Sequence, residues 1–156
     1  MLMLEIETPA NLVDMAELGG AKSRIHWSWL REMWKSGDTW AVRSDGELIA
    51  LVGVYPVQGT KGWEAWFCLR RELAEHLREF ITAMRLTVQA GKYREIVTIC
   101  GTRAGKVMAR RMGFTFAGTC DYGELWTWDL YSAVESATIA APNSPKRTQK
   151  NSSDAA

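Results

Sequence analysis

Apolar positions change their spacing along this chain, and each change marks an element. Trp63 to Leu69 is an apolar run of strand length. Leu73, Leu77, Phe80, Ile81, Met84 and Val88 then recur every three or four residues. That spacing places one stripe on an amphipathic helix running from Arg71 to Ala90. Gly91 follows at the position of a C′ glycine. Arg94 to Cys100 is short and β-branched, a second strand. A helix from about Thr102 to Met112 ends in Gly113-Phe114.

The flanks extend this pattern. Leu2 to Glu7 alternates weakly and predicts a first strand. Thr8-Pro9 fits an N-cap followed by proline at N1, opening a helix that stops at Gly19-Gly20. Ser23 caps a second helix, carrying Ile25, Trp27, Leu30 and Trp34, which Gly37 stops. Thr39–Arg43 and Glu47–Tyr55 flank Ser44-Asp45-Gly46, a strong hairpin signal. The second of these runs is almost wholly apolar, as expected of a central strand. Thr115 to Gly118 forms one further strand. Gly123 to Tyr131 alternates, with Trp126, Trp128 and Leu130 on one side and Leu125, Thr127 and Asp129 on the other. The resulting order is two helices, a hairpin, strand, helix, strand, helix and two strands. It predicts an α+β fold around a mixed sheet.

The 156 residues suffice for one domain with a sizeable core. From Ser132 the composition turns to Ala, Ser, Thr, Pro, Asn and Lys, without an aromatic residue. We therefore expect a folded domain over 1–131 and a disordered tail over 132–156. A net charge of +1 gives no reason to expect nucleic acid or membrane as a partner. No run approaches the 18 or so apolar residues of a membrane span. The opening MLMLEIE is short for a signal peptide and turns acidic at once. Three cysteines without paired spacing suit a reducing, cytoplasmic setting. Two distant histidines offer no metal cluster. Eight tryptophans are unusual. They are read either as core anchors or as the lining of a groove or protein-partner surface.

The run from Trp63 to Phe114, closing in Arg111-Met112-Gly113-Phe114, resembles the core of the GNAT acyltransferases. The resemblance spans roughly Thr39 to Leu130. It implies a mixed, mostly antiparallel twisted sheet with helices on both faces, and acetyl-CoA as co-substrate with an amine as acceptor. It implies that the strand–helix turn holds the cofactor pyrophosphate, through Arg70, Arg71, Leu73, Ala74, Glu75 and His76. It implies that the main chain of Phe67, Cys68 and Leu69 pairs with the pantetheine where the next parallel strand splays away. Thr102 stands where the family often has an Asn at the start of the last helix. The catalytic base, often a Glu on the strand before the turn, corresponds to Glu64, between Trp63 and Trp66; a solvated edge carboxylate is the competing reading.

The sequence also departs from the family. The usual turn, Arg/Gln-x-x-Gly-x-Gly/Ala, is here Arg71-Glu-Leu-Ala74-Glu-His76. Glu72 and Glu75 bring negative charge to that turn, which also suits plain helix capping. The family's general-acid tyrosine corresponds to Ala109. Tyr55, Tyr122 and Tyr131 are substitutes that sequence cannot place. Gly101-Thr102 and the tryptophan-rich middle are also similar to small GNAT-like virion or assembly proteins of short-tailed bacteriophages. Three functions therefore stay open: an N-acetyltransferase, a non-catalytic protein of host cytoplasm or virion, and an acyl-CoA sensor.

Overall fold

The computed structural model describes residues 3–129. The expected tail over 132–156 lies outside them. The elements are β1 (Leu4–Glu7), α1 (Leu12–Gly19), α2 (Arg24–Ser36), β2 (Asp38–Ser44), β3 (Glu47–Pro56) and β4 (Trp63–Leu69). A 3-10 helix (Arg71–His76) follows, then α3 (Leu77–Ala90), β5 (Glu95–Cys100), α4 (Arg103–Arg111), β6 (Thr115–Cys120) and β7 (Gly123–Asp129).

The strands form one sheet in the order β1-β2-β3-β4-β5-β7-β6. All neighbours are antiparallel except β4 and β5, the pair joined through α3. The hairpin between β2 and β3 turns at Asp45 and Gly46, both at positive φ. A two-residue turn of that kind matches the right-handed twist of its strands.

Helices cover both faces. On one face α1 and α2 pack Met15, Leu30 and Met33 against Ala41, Leu48 and Leu51. On the other, Phe80 and Met84 of α3 and Met108, Ala109 and Met112 of α4 meet Val52, Val54, Ala65, Ile96, Trp126 and Trp128. Residues of β4 alternate accordingly: Trp66 and Cys68 belong to the first core, Ala65 and Phe67 to the second. Most tryptophans are thus core anchors, while Trp29 is 60% exposed.

Three local expectations are corrected. The α-helix after β4 does not start at Arg71; six residues of 3-10 helix come first. Leu73 and His76, three apart, are both buried, and a three-residue period places such a pair on one side. The first helix is capped by Asn11, whose side chain accepts from the Asp14 N–H at 2.8 Å, not by Thr8. The Thr8 hydroxyl instead donates to the Thr39 carbonyl at 2.8 Å. Gly91 has extended rather than left-handed backbone. A Cβ there would lie 2.6 Å from the Tyr93 ring, which explains the glycine by packing.

The Arg-x-Gly-Phe end of α4 is a Schellman cap. Phe114 N–H donates to the Ala109 carbonyl at 3.0 Å and Gly113 N–H to the Arg110 carbonyl at 3.1 Å. Gly113 takes φ 95°, a conformation that costs glycine little. Phe114 is thereby buried in the core.

Candidate active site

β4 pairs with β3 along its whole length but with β5 only at Trp63 and Glu64. Beyond that point the two parallel strands separate. The Thr98 hydroxyl crosses the start of the gap and donates to the Ala65 carbonyl at 2.9 Å, fully buried. From there the edge of β4 out to Leu69 has no strand partner on the β5 side.

Two joined clefts occupy this region. The inner one, about 430 Å³, lies between the splayed strands and the start of α4. Glu64, Trp66, Phe67 and Thr98 line it, with Cys100, Gly101 and Thr102 on the β5 side. The outer one, about 670 Å³, lies between the 3-10 helix and α4. Leu69, Ala104 and Met108 line both. Leu73, Leu77, Val107 and Met108 give the outer cleft an apolar floor, and Arg70, Arg71, Arg103 and Arg111 complete its lining.

The structure brings together most of the candidates named from sequence. Glu64, Phe67, Leu69, Arg70, Arg71, Leu73, Ala74 and Thr102 line the joined clefts. Thr102 also caps α4, its hydroxyl accepting from Gly105 N–H at 3.1 Å. Cys68 is absent from the lining of both clefts, and its side chain packs beneath α1 and α2. Burial pushes its thiol above the ordinary cysteine range.

Glu75 and His76 do not join the others. They line a separate cleft of about 350 Å³ beside the β2–β3 hairpin, with Glu72, Asp45 and Glu47. There His76 Nε2 lies 3.1 Å from the Ser44 hydroxyl. The three-residue period of the 3-10 helix produces this sorting. Arg71, Ala74 and Leu77 face the outer cleft, and Glu72 and Glu75 face the hairpin. An α-helix, at 100° per residue, would have carried Glu75 round toward Arg71. The acidic charge that sequence placed on the pyrophosphate turn is thus directed away from the cleft.

Glu64 sits opposite Tyr55 in the β3–β4 register. The Tyr55 phenol is raised well above its usual range, first by burial, then by a hydrogen bond to Glu64 and by that carboxylate's charge. Tyr55 therefore stays protonated beside Glu64. Tyr122, in contrast, is 82% exposed. Tyr131 lies outside the described residues.

Sequence reasoning passed over Thr98, Arg103 and Arg111. The two arginines had a signal, because Arg103, Val107 and Arg111 recur every four residues on α4. Thr98 had none, since its role depends on where β4 and β5 part.

Many solved structures share this fold. An N-acetyltransferase from Staphylococcus aureus Mu50 superposes with a TM-score of 0.65 at 14% identity, over 83% of this chain and 99% of its own. The fold is that of the GNAT acetyltransferases. A GNAT family acetyltransferase from Elizabethkingia anophelis, solved with acetyl-CoA bound, matches with a TM-score of 0.58 at 13% identity, covering 83% of this chain and 98% of its own. The Campylobacter jejuni N-acetyltransferase PseH in complex with acetyl coenzyme A gives 0.55 at 10% identity, over 81% and 99%. No protein-family model matches the sequence, and no curated protein matches it. Among the described residues, no helix of this GNAT-fold chain is long and apolar enough to cross a membrane. Nor do they hold a group of three or more His, Cys, Asp or Glu side chains placed for a metal ion.

Proposed function

We propose that this protein is an acetyl-CoA-dependent N-acetyltransferase acting on an amine. The observation that carries the reading is the gap between β4 and β5, open from the arginine-lined cleft to Glu64. The pyrophosphate lies against the Arg71 and Ala74 side of the 3-10 helix. The pantetheine arm runs along the free edge from Phe67 to Leu69, where unpaired strand groups accept a strand-like neighbour. When bound, acetyl-CoA supplies an activated thioester near Glu64.

Glu64 takes one proton from the incoming ammonium, directly or through a water. The freed amine nitrogen then forms the amide bond as the carbon–sulfur bond breaks. The nitrogen's remaining surplus proton goes to the departing sulfur. Tyr55 stands opposite Glu64 on the neighbouring strand. The cleft otherwise works by orienting the two reactants.

Calorimetry with acetyl-CoA, together with amine-dependent release of free thiol, tests this reading. Wild type should bind, and Glu64→Gln should bind equally but transfer roughly a hundredfold more slowly, the scale of general-base catalysis. No heat of binding at millimolar acetyl-CoA would sink the proposal. Equal transfer rates for Glu64→Gln would remove Glu64 as base and leave the cofactor reading standing.

A second reading is a GNAT-fold protein that binds other proteins and transfers nothing, of the kind found in phage virions. Ala109 at the family's tyrosine position and the exposed Ile25 and Trp29 on α2 favour it. Failure to bind acetyl-CoA is its expected result.

A further inference from the structure

We infer that α4 reads the phosphate groups of the acyl carrier through Arg103 and Arg111, so that the enzyme selects a thioester bearing separated phosphates. The inference rests on the acetyl-CoA reading above and adds residues and a selectivity to it.

The turn after β4 is poorly built to hold a diphosphate by its main chain. It is a 3-10 helix of six residues with no glycine to admit phosphate oxygens. The Leu73 N–H is already committed to the Arg70 carbonyl at 3.2 Å. Arg70 is likewise engaged, its guanidinium 2.6 Å from Glu17 on α1.

Three other arginines line the same cleft. Arg71 stands on one wall, Arg103 and Arg111 on the other. Among the described residues none of the three has a carboxylate within ion-pair distance. Their neighbour Arg110 is directed elsewhere, over the Trp126 ring. Glu72 and Glu75 face the hairpin cleft on the far side of the 3-10 helix. The outer cleft therefore has an apolar floor and arginines, but no acidic residue, in its lining.

The spacing of this charge indicates the ligand. Arg103 and Arg111 are eight residues apart on one stripe of α4, a rise of roughly 12 Å. Positive charge is thus spread along the cleft rather than focused at one point. A carrier with a diphosphate and a second, distant phosphate matches that spread, and the 3′-phosphate of coenzyme A is such a group. Arginine suits the task because its fork donates two parallel hydrogen bonds to a phosphate.

The test is calorimetry on the full chain with acetyl-CoA, its 3′-dephospho analogue and acetyl-phosphopantetheine. Wild type should bind them in that order, weakening by roughly tenfold or more at each step. Arg103→Ala and Arg111→Ala should each weaken acetyl-CoA roughly ten- to hundredfold. At least one of them should bind acetyl-CoA and its dephospho analogue equally. Arg111→Lys should retain part of the affinity, and thermal melts should match wild type because both arginines are exposed. Wild-type binding of acetyl-CoA with unchanged affinity in both alanine variants overturns the inference and spares the function. Equal wild-type affinity for acetyl-CoA and its dephospho analogue overturns the selectivity. No wild-type binding of any of the three overturns both function and inference.

Discussion

Thr98→Val should destabilise the protein although it changes almost no volume. The Thr98 hydroxyl donates to the Ala65 carbonyl at 2.9 Å, and Thr98 is 2% exposed. Ala65 is the first residue of β4 beyond its pairing with β5, so its carbonyl has no strand partner on that side. Valine keeps the shape of threonine and removes the donor. A buried carbonyl left without a partner costs about 1–3 kcal/mol. With a urea slope near 2 kcal/mol/M, the unfolding midpoint should fall by roughly 0.5–1.5 M. The slope itself should not change, and Thr98→Ser should recover part of the loss. A midpoint for Thr98→Val within error of wild type would refute the reasoning. It would mean that water follows the inner cleft to Ala65 and satisfies the carbonyl.

Gly53→Ala should cost about 1–3 kcal/mol by overpacking, because its Cβ would collide with the Trp66 indole on the paired strand. Adding Trp66→Leu should relieve most of that cost, so strict additivity in the double variant would contradict the packing argument. Stability should also decline at alkaline pH. Burial and the neighbouring carboxylates Glu64 and Asp38 raise the phenols of Tyr55 and Tyr93 in the folded protein. The unfolded chain therefore loses these protons first. The stabilisation is complete below about pH 10 and is lost as the pH rises from there toward the folded-state values. Urea midpoints measured across this range should fall less steeply in a Tyr55→Phe, Tyr93→Phe double variant. Parallel slopes would count against it.

The sequence alone determined the order of elements and most of their boundaries. Trp63–Leu69 was legible because six of its seven residues are apolar, over a length that suits a strand packed on both faces. The β2–β3 hairpin was legible because Asp45-Gly46 can take positive φ where other pairs resist. The end of α4 was legible because a Schellman cap needs glycine followed by an apolar residue. Each of these is a local requirement, carried by a few adjacent residues.

What lay beyond reach depended on contacts between distant segments. The stripe from Leu73 to Val88 suits one long α-helix as well as a 3-10 turn leading into a shorter one. Only the burial of Leu73 and His76 against the sheet and hairpin distinguishes them. That choice decides which cleft receives Arg71 and which receives Glu72, Glu75 and His76. Arg103 and Arg111 look like solvated helix charges until α4 is seen to form the wall opposite Arg71. Thr98 is an ordinary strand threonine until β4 and β5 part beside it. Local propensity acts over a few residues, whereas the shape of this cleft is set where β4, the 3-10 helix and α4 meet, residues up to about forty positions apart along the chain.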